Sequence, residues 1–492
     1  MILNINGEIN EYYVQTLCML FFPGEKFSAR KTDENAPEAS VSLEENVDGI
    51  TAAVRLTHLG KTAEKSFFEP FSDKETIEKT RKIAVGKAFF NAGKKLVGKA
   101  PQWGILTGVR PAKLALQALT DGATKAEVRA KFTKEYFVNA KKAALACDTA
   151  YCEKKIIANA LENACSIYIS IPFCPSRCSY CSFVSYTSPK LLGLLEGYLD
   201  RLCIDIADQA ALIKQLGLTV ATVYIGGGTP TTLSAGQLEK LLSVITSCVD
   251  MSRVEEFTVE AGRPDTITRE KLDIIKKYGV TRISINTQTL NDEVLEAIGR
   301  KHTANDFYRA FEWAREAGIQ QINTDLIAGL PGEGFGSFSS TVDEIIRLRP
   351  ENLTVHTLCI KNAADFSQKR SFIYDRGENV ATKLVDYAHL AIKNAGYIPY
   401  YMYRQKNTVD NLENVGFCLP GCEGRYNIYM MEEIHSIFAI GAGAVSKLVD
   451  RKSGKIDRIF EYKYPYEYLS EENEQREIDK KEKITEFYKN IS

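Results

Sequence analysis

The chain has no surplus of either charge. Its 62 lysines and arginines stand against 63 aspartates and glutamates, leaving a formal net charge of −1. That balance offers nothing to a nucleic-acid backbone, whose binding proteins carry a basic excess or stripe. Long apolar runs are also missing: the stretch near Leu17–Phe22 falls far short of the roughly 20 residues that span a bilayer. The opening residues, Met1-Ile-Leu-Asn-Ile-Asn-Gly-Glu8, lack the basic segment of a secretory signal. Twelve cysteines among 492 residues are too sparse for a disulfide scaffold. These absences lead to the expectation of a protein of the reducing cytoplasm, with thiols free for iron, no nucleic-acid partner and no membrane insertion. The five histidines (His58, His302, His356, His389 and His435) form no H-x-E or H-E-x-x-H arrangement.

What is present divides into three stretches, as expected of a chain too long for one core. Residues 1–162 read as an α+β extension. Alternation in Tyr12–Phe22, Ala39–Leu43 and Thr51–Leu56 predicts strands, and from Lys74 to about Leu161 the spacing turns helical. Within it, Trp103-Gly-Ile-Leu-Thr-Gly-Val-Arg-Pro111 leads into a helix with Pro111 in its first turn. Residues 163–360 alternate short apolar strands with amphipathic helices. The strands are Ser166–Ile171, Thr222–Ile225, Glu256–Glu260, Arg282–Asn286, Gln321–Ile327 and Leu353–Leu358. Six β-then-α units predict an α/β fold with a parallel sheet curled into a partial (β/α)6 TIM-type barrel, ligands gathering at the strands' carboxyl ends. Residues 361–492 form a smaller C-terminal region, including helix Thr382–Ala395, the aromatic run Tyr397–Tyr403 and a solvated helical tail.

Directly after the first of those strands come Cys174, Cys178 and Cys181, spaced C-x3-C-x2-C. A structural zinc takes four ligands, and an electron-transfer [4Fe–4S] cluster is normally held by four thiolates. Three buried thiols, or zinc with a distant partner, are the plainer readings. The tight spacing, Tyr180 and the position at a strand end favour a cubane with one iron left open to a small molecule. Gly226-Gly-Gly-Thr-Pro230 follows the second strand. It is either a tight turn or a loop whose backbone approaches a ligand closely. Cys418 and Cys422 make a lone C-x3-C pair, half of a metal site. Cys147 and Cys152 read as ordinary helix packing, His302 as structural, and Gly441-Ala-Gly443 as a weak phosphate-loop signal without a basic residue.

The cysteine loop, with an aromatic residue before its last cysteine and a barrel strand before it, resembles the radical S-adenosylmethionine superfamily. The resemblance implies a [4Fe–4S] cluster on Cys174, Cys178 and Cys181, its open iron chelated by S-adenosylmethionine. Reduction then yields a 5′-deoxyadenosyl radical, with the electron drawn from a donor such as flavodoxin or ferredoxin. It also assigns Gly227, Gly228 and Thr229 to the methionine end of the nucleoside. Tyr168 and the string Ile-Pro-Phe-Cys are similar to oxygen-independent coproporphyrinogen III oxidases, where residues matching Glu260, Gln288, Arg300 and Asp325 contact S-adenosylmethionine. Each is unremarked polarity alone; all four at successive strand ends are a pattern.

The strings Trp103–Pro111, Tyr403–Asn407 and Asn411–Gly416 are similar to the HemZ-type, coproporphyrinogen dehydrogenase-like branch. That branch implies hydrogen abstraction from coproporphyrinogen III propionates, loss of CO2 and one electron, and vinyl products in haem biosynthesis. Arginines or lysines then pair with the tetrapyrrole's carboxylates. The chain departs from the best-studied oxidases at Phe183, where a fourth cysteine is usual, and at Ser170, where they have histidine. A second S-adenosylmethionine site is not evident, although Cys359 occupies one matching position. A haem chaperone is the alternative, weakened because Tyr426-Asn-Ile-Tyr-Met-Met431 lacks the histidine and tryptophan of the chaperone string. A radical enzyme of another tetrapyrrole is the other.

Overall fold

A computed structural model describes residues 1–28, 35–73, 75–183, 185–359, 380–405 and 408–491. Among these, 1–151, 380–382 and 402–414 form one compact unit, and 152–359, 383–401 and 415–491 another.

In the first unit, strands β1 (Ile2–Asn6), β2 (Glu38–Glu45), β3 (Gly49–His58) and β4 (Lys61–Pro70) pair in that order. β1 runs parallel to β2, and the other pairs are antiparallel. Alternate residues Ala39, Val41, Ala52, Val54 and Leu56 are buried in one core with helices Glu11–Phe21 and Ile77–Val97. The expected strands at Ala39–Leu43 and Thr51–Leu56 fall within β2 and β3. The one expected at Tyr12–Phe22 is instead a helix, capped by Asn10, whose side chain accepts from the Tyr13 amide. Its buried residues Val14, Leu17, Cys18 and Phe21 follow i, i+3, i+4, i+7. That is the helical period, which a reading of local alternation overlooked.

The string at Trp103 meets the strings at Arg404 and Glu413 in the same unit. The Trp103 indole donates to Glu413 Oε2 at 2.7 Å, and Lys142 Nζ donates to Oε1 at 2.7 Å. Arg404 donates to the carbonyls of Leu106 (2.5 Å) and Asn411 (3.2 Å) and lies over the Trp103 ring. Lys406 and Asn407 of the middle string lie outside the described residues. The helix expected after Trp103 begins at Pro111.

The second unit is built on one sheet. Strands β5 (Ala164–Ile171), β6 (Thr219–Gly227), β7 (Glu256–Glu260), β8 (Arg282–Ser284), β9 (Gln321–Ala328) and β10 (Asn352–Thr357) run parallel, neighbour to neighbour. Helices Leu195–Gln215, Ala235–Cys248, Arg269–Lys277, Ala304–Glu316 and Phe335–Leu348 connect them, Asp292–Ala297 adding a short turn. Ile398–Tyr401 and Val415–Cys418, the parts of β11 (Ile398–Arg404) and β12 (Glu413–Cys418) that belong to this unit, extend the sheet beyond β10. β13 (Ser436–Ile440), β14 (Val445–Val449) and β15 (Ile456–Phe460) extend it beyond β5, giving the order 11-12-10-9-8-7-6-5-13-14-15. The strand order does not close on itself, consistent with a partial barrel. The expected aromatic run lies on β11, and the tail is helix Glu472–Ile491.

The parallel strands largely alternate, with Thr324 and Ile327 of β9 as exceptions. Ile167, Ile169, Val223, Ile225, Phe257, Val259, Ile283, Ile322, Leu326, Leu353 and Val355 are almost wholly buried. The intervening positions carry Tyr168, Tyr224, Glu260, Ser284, Asn323, Asp325, Thr354 and His356. Registers such as Tyr168 with Tyr224, Glu260 with Ser284 and Asp325 with Thr354 keep these polar residues on one face. Amphipathic helices, for example with Leu238, Leu241, Leu242 and Ile245 buried, supply apolar surface for the other face.

Glu413 is fully buried and bonded to a buried ammonium and an indole. Removing one partner of such a pair strands charge in low dielectric. Glu413→Ala should therefore lower unfolding stability by about 3–5 kcal/mol, checked by urea denaturation.

Candidate functional site

β5 ends at Ile171 and passes at once into the cysteine loop. Cys174 N donates to Tyr186 O (3.1 Å) and Tyr186 N to Pro172 O (2.8 Å), closing the loop's base. The glycine segment after β6 docks against it: Gly228 N donates to Ile171 O and Thr229 N to Phe173 O, both at 2.8 Å. A Cβ at residue 228 would lie 2.5 Å from the Phe173 carbonyl oxygen, so only glycine fits. The close approach here is between two backbone segments.

Cys174 and Cys178 are buried and Cys181 is half-buried. The Thr229 hydroxyl lies 3.3 Å from Cys174 Sγ, and Arg263 Nη1 lies 3.8 Å from Cys178 Sγ. Burial pushes the Cys174 thiol up to about 11; the Thr229 bond opposes this, and the Cys181 and Cys178 thiols add to it. Burial also raises Cys181, with Cys178 contributing. The three cysteines thus lie on one short loop, with Thr229 at one sulfur and Arg263 at another. Among the described residues no three His, Cys, Asp or Glu side chains are placed to grip a single ion. A cubane makes a different demand, because each thiolate binds its own iron. Three cysteines on one short loop, with a hydroxyl and a guanidinium N–H at two of their sulfurs, suit it.

Beside the loop, the polar face of the sheet assembles the other expected residues. The Tyr168, Tyr224 and Tyr426 rings stack with centroids 4.4–6.3 Å apart. Tyr426 comes from the C-terminal helix Arg425–Glu432. Tyr224 Oη donates to Glu260 Oε1 at 2.5 Å. A Cβ at residue 226 would come within 3.0 Å of Glu260 Oε2, so the first glycine of the triplet leaves room for that carboxyl. Burial raises Glu260 to about 7, with the Tyr224 bond opposing and the Asp325 charge adding.

Asp325 accepts from the side-chain amides of Asn286 and Asn323, each at 2.8 Å, and His356 Nε2 lies 3.7 Å away. Burial pushes this carboxyl up, but His356, Asn323 and Thr354 together outweigh it and hold the pKa low. Gln288 sits at φ 72°, a left-handed conformation that costs a non-glycine residue about 1–3 kcal/mol. Its amide donates to Asp325 O and its carbonyl accepts from Ile327 N, both at 3.0 Å. Its buried Oε1 has no hydrogen-bond partner. An orphan buried acceptor over a strained backbone pinned on both sides is a feature that calls for an explanation.

Arg300 is buried and faces the cysteine loop, donating to Tyr180 Oη (3.3 Å), Gly262 O (3.2 Å) and Asn286 O (2.5 Å). All eleven expected residues therefore lie in or beside one network at the carboxyl end of the parallel strands. Arg263 was missed, because Gly-Arg-Pro-Asp after β7 reads as an ordinary turn. Tyr224 was missed because a tyrosine in a strand reads as core.

The remaining candidates fall elsewhere or are structural. Cys418 pairs in register with Asn352 at the start of β10, placing Cys418 and Cys422 at the opposite end of the sheet. Burial raises both thiols. Ser170 Oγ donates to Ala442 O (2.9 Å) and Tyr198 Oη accepts from Ala442 N (2.8 Å), so the Gly441–Gly443 loop is a packing corner. His302 is buried with neither ring nitrogen hydrogen-bonded, and burial lowers it to about 3. Phe183 is 69% exposed, and Cys359 is half-buried beyond the end of β10.

The sequence profile of the radical SAM superfamily matches residues 168–345. The oxygen-independent coproporphyrinogen-III oxidase-like protein HemZ of Bacillus subtilis is 37% identical over 433 residues, 87% of this chain and 86% of that protein. The heme chaperone HemW of Lactococcus lactis is 32% identical over 61% of this chain and 74% of its own length. Among solved structures, coproporphyrinogen III oxidase HemN of Escherichia coli, a radical SAM enzyme, shares the fold. Its TM-score is 0.51 at 23% identity, over 66% of this chain and 72% of that one.

Glu260 yields a test by pH. With a pKa of about 7, about a tenth of the carboxyl is ionised at pH 6 and nine tenths at pH 8. Ionisation gives two full acceptors for ribose hydroxyls. Calorimetric affinity of the iron-loaded protein for S-adenosylmethionine should tighten about tenfold over that range, beyond any change seen with Glu260→Gln. Identical profiles would remove Glu260 from nucleoside recognition.

Proposed function

Because the chain belongs to the radical SAM superfamily, in the group of HemZ-like proteins, we propose that it oxidatively decarboxylates propionate side chains of coproporphyrinogen III. Superfamily members use a [4Fe–4S] cluster and S-adenosylmethionine. What supports the reading is the gathering, at the strand ends, of a three-cysteine loop with Thr229 and Arg263 at two of its sulfurs, an orphan buried Gln288 oxygen and the Glu260 carboxyl.

In this reading Cys174, Cys178 and Cys181 hold the cluster, and the bound group supplies hydrogen-atom abstraction from an unactivated carbon. Thr229 donates to the Cys174 sulfur and, with Gly227 and Gly228, borders the methionine end of the nucleoside. Glu260, oriented by Tyr224, accepts from the ribose hydroxyls. Gln288 offers its unsatisfied oxygen to the same ligand. Asp325, held ionised by Asn286, Asn323 and His356, takes a ligand cation. Arg300 fixes Tyr180 and so the loop, and Tyr168 closes the aromatic side with Tyr224 and Tyr426. The propionate would give a β-hydrogen atom to the radical the cofactor supplies, then lose CO2 and pass one electron to a one-electron acceptor, leaving a vinyl group; two rounds would give protoporphyrinogen IX. The initiating electron comes from a low-potential protein donor such as flavodoxin or ferredoxin.

Anaerobically reconstituted protein with dithionite, S-adenosylmethionine and coproporphyrinogen III should release 5′-deoxyadenosine, CO2 and vinyl product. Cys178→Ala should lower product by at least a thousandfold, since loss of a cluster ligand removes the radical source. Iron-loaded wild type that makes 5′-deoxyadenosine but no vinyl product overturns the substrate. Stoichiometric haem binding with neither product assigns a carrier role instead.

A further inference from the structure

Arg263 belongs to none of the expected ligand positions, yet it is only 3% exposed and sits against the cysteine loop. Its Nε and Nη2 each lie 2.9 Å from a different Asp265 carboxylate oxygen, a bidentate fork that fixes the guanidinium plane. Nη2 also donates to Ser176 Oγ (3.1 Å). Nη1 is turned away from the carboxylate and reaches Ser176 O (3.3 Å) and Cys178 Sγ (3.8 Å). Cys174, by contrast, has the neutral Thr229 hydroxyl at its sulfur. The donor set is therefore unequal, with a cationic N–H group at Cys178 and a neutral hydroxyl at Cys174.

A buried guanidinium is expensive to place, and the loop's backbone is already closed by the Cys174–Tyr186 and Pro172–Tyr186 bonds. We infer that Arg263, clamped by Asp265, is a positioning residue that donates to the Cys178 sulfur and raises the reduction potential of the cluster bound there. This rests on the cluster assignment made above. The redox step is one electron passing from a low-potential donor to the cubane, with no bond made or broken. The added negative charge spreads over the cluster and its thiolates. A fixed N–H donor and cation at one sulfur stabilise that reduced form more than the oxidised one.

The test is potentiometric titration followed by electron paramagnetic resonance, with iron content measured in parallel. It uses reconstituted wild type, Arg263→Gln, Arg263→Lys and Asp265→Asn. Arg263→Gln should keep its iron and become harder to reduce by at least tenfold in the one-electron equilibrium, about 59 mV. Arg263→Lys keeps the charge but not the fork and should fall between the two. Asp265→Asn, which releases the clamp, should also lower the potential. A residue that merely supports the loop would change iron content or thermal stability and leave the midpoint alone. Iron-loaded variants that all titrate at the wild-type potential overturn the inference, as does loss of the cluster from all three. Wild type that binds no iron overturns the cluster reading itself.

Discussion

The period of two along the parallel strands governs the second unit. Parallel sheets covered on both faces are usually near-continuous in apolar residues. Here only one face is, through Ile167, Val223, Ile225, Val259, Ile283 and Val355. The other carries phenols, carboxyls, amides and an imidazole in register across six strands. Polar groups removed from water are costly unless partnered, so that face has to satisfy itself or be satisfied by a ligand. It largely does the former: Tyr224 bonds Glu260, and Asn286 and Asn323 bond Asp325. The Gln288 oxygen is left over, on a backbone in an unfavourable conformation held by bonds on both sides.

The cysteine loop is held by the same economy of backbone contacts. Gly228 lets the β6 loop bond the loop's first residues, and Ser179 N donates to Ile298 O from the far side at 3.0 Å. Arg300 then ties Tyr180 to the turns after β7 and β8. The groups around the three cysteines are thus held by backbone and side-chain bonds of the fold itself.

The first unit has a different centre. Three strings scattered over some three hundred residues of sequence meet where Glu413 joins Lys142 and Trp103, and where Arg404 bonds the backbone after Trp103. A buried carboxylate shared by an ammonium and an indole tolerates few substitutions, because removing any member leaves another desolvated. Packing within that unit therefore explains Trp103, Arg404 and Glu413, one residue from each string.

Much of this was legible in the chain itself. The six strands and their helices announce themselves by hydrophobic period, and the cysteine spacing places three thiols on one short loop whatever the rest does. Local order also marked Pro111 as a helix start and Gly226–Gly228 as a close approach, though to Phe173 and Glu260 as much as to a ligand. Segment Tyr12–Phe22 was misread because alternation and helical spacing overlap in a short apolar run, and only packing against the sheet selects between them. Which donors face which sulfur, the Tyr168–Tyr224–Tyr426 stack, and the Glu413 meeting point were decided by tertiary structure alone. Those contacts join residues dozens to hundreds of positions apart, and sequence period carries no information about distance in space between separate elements.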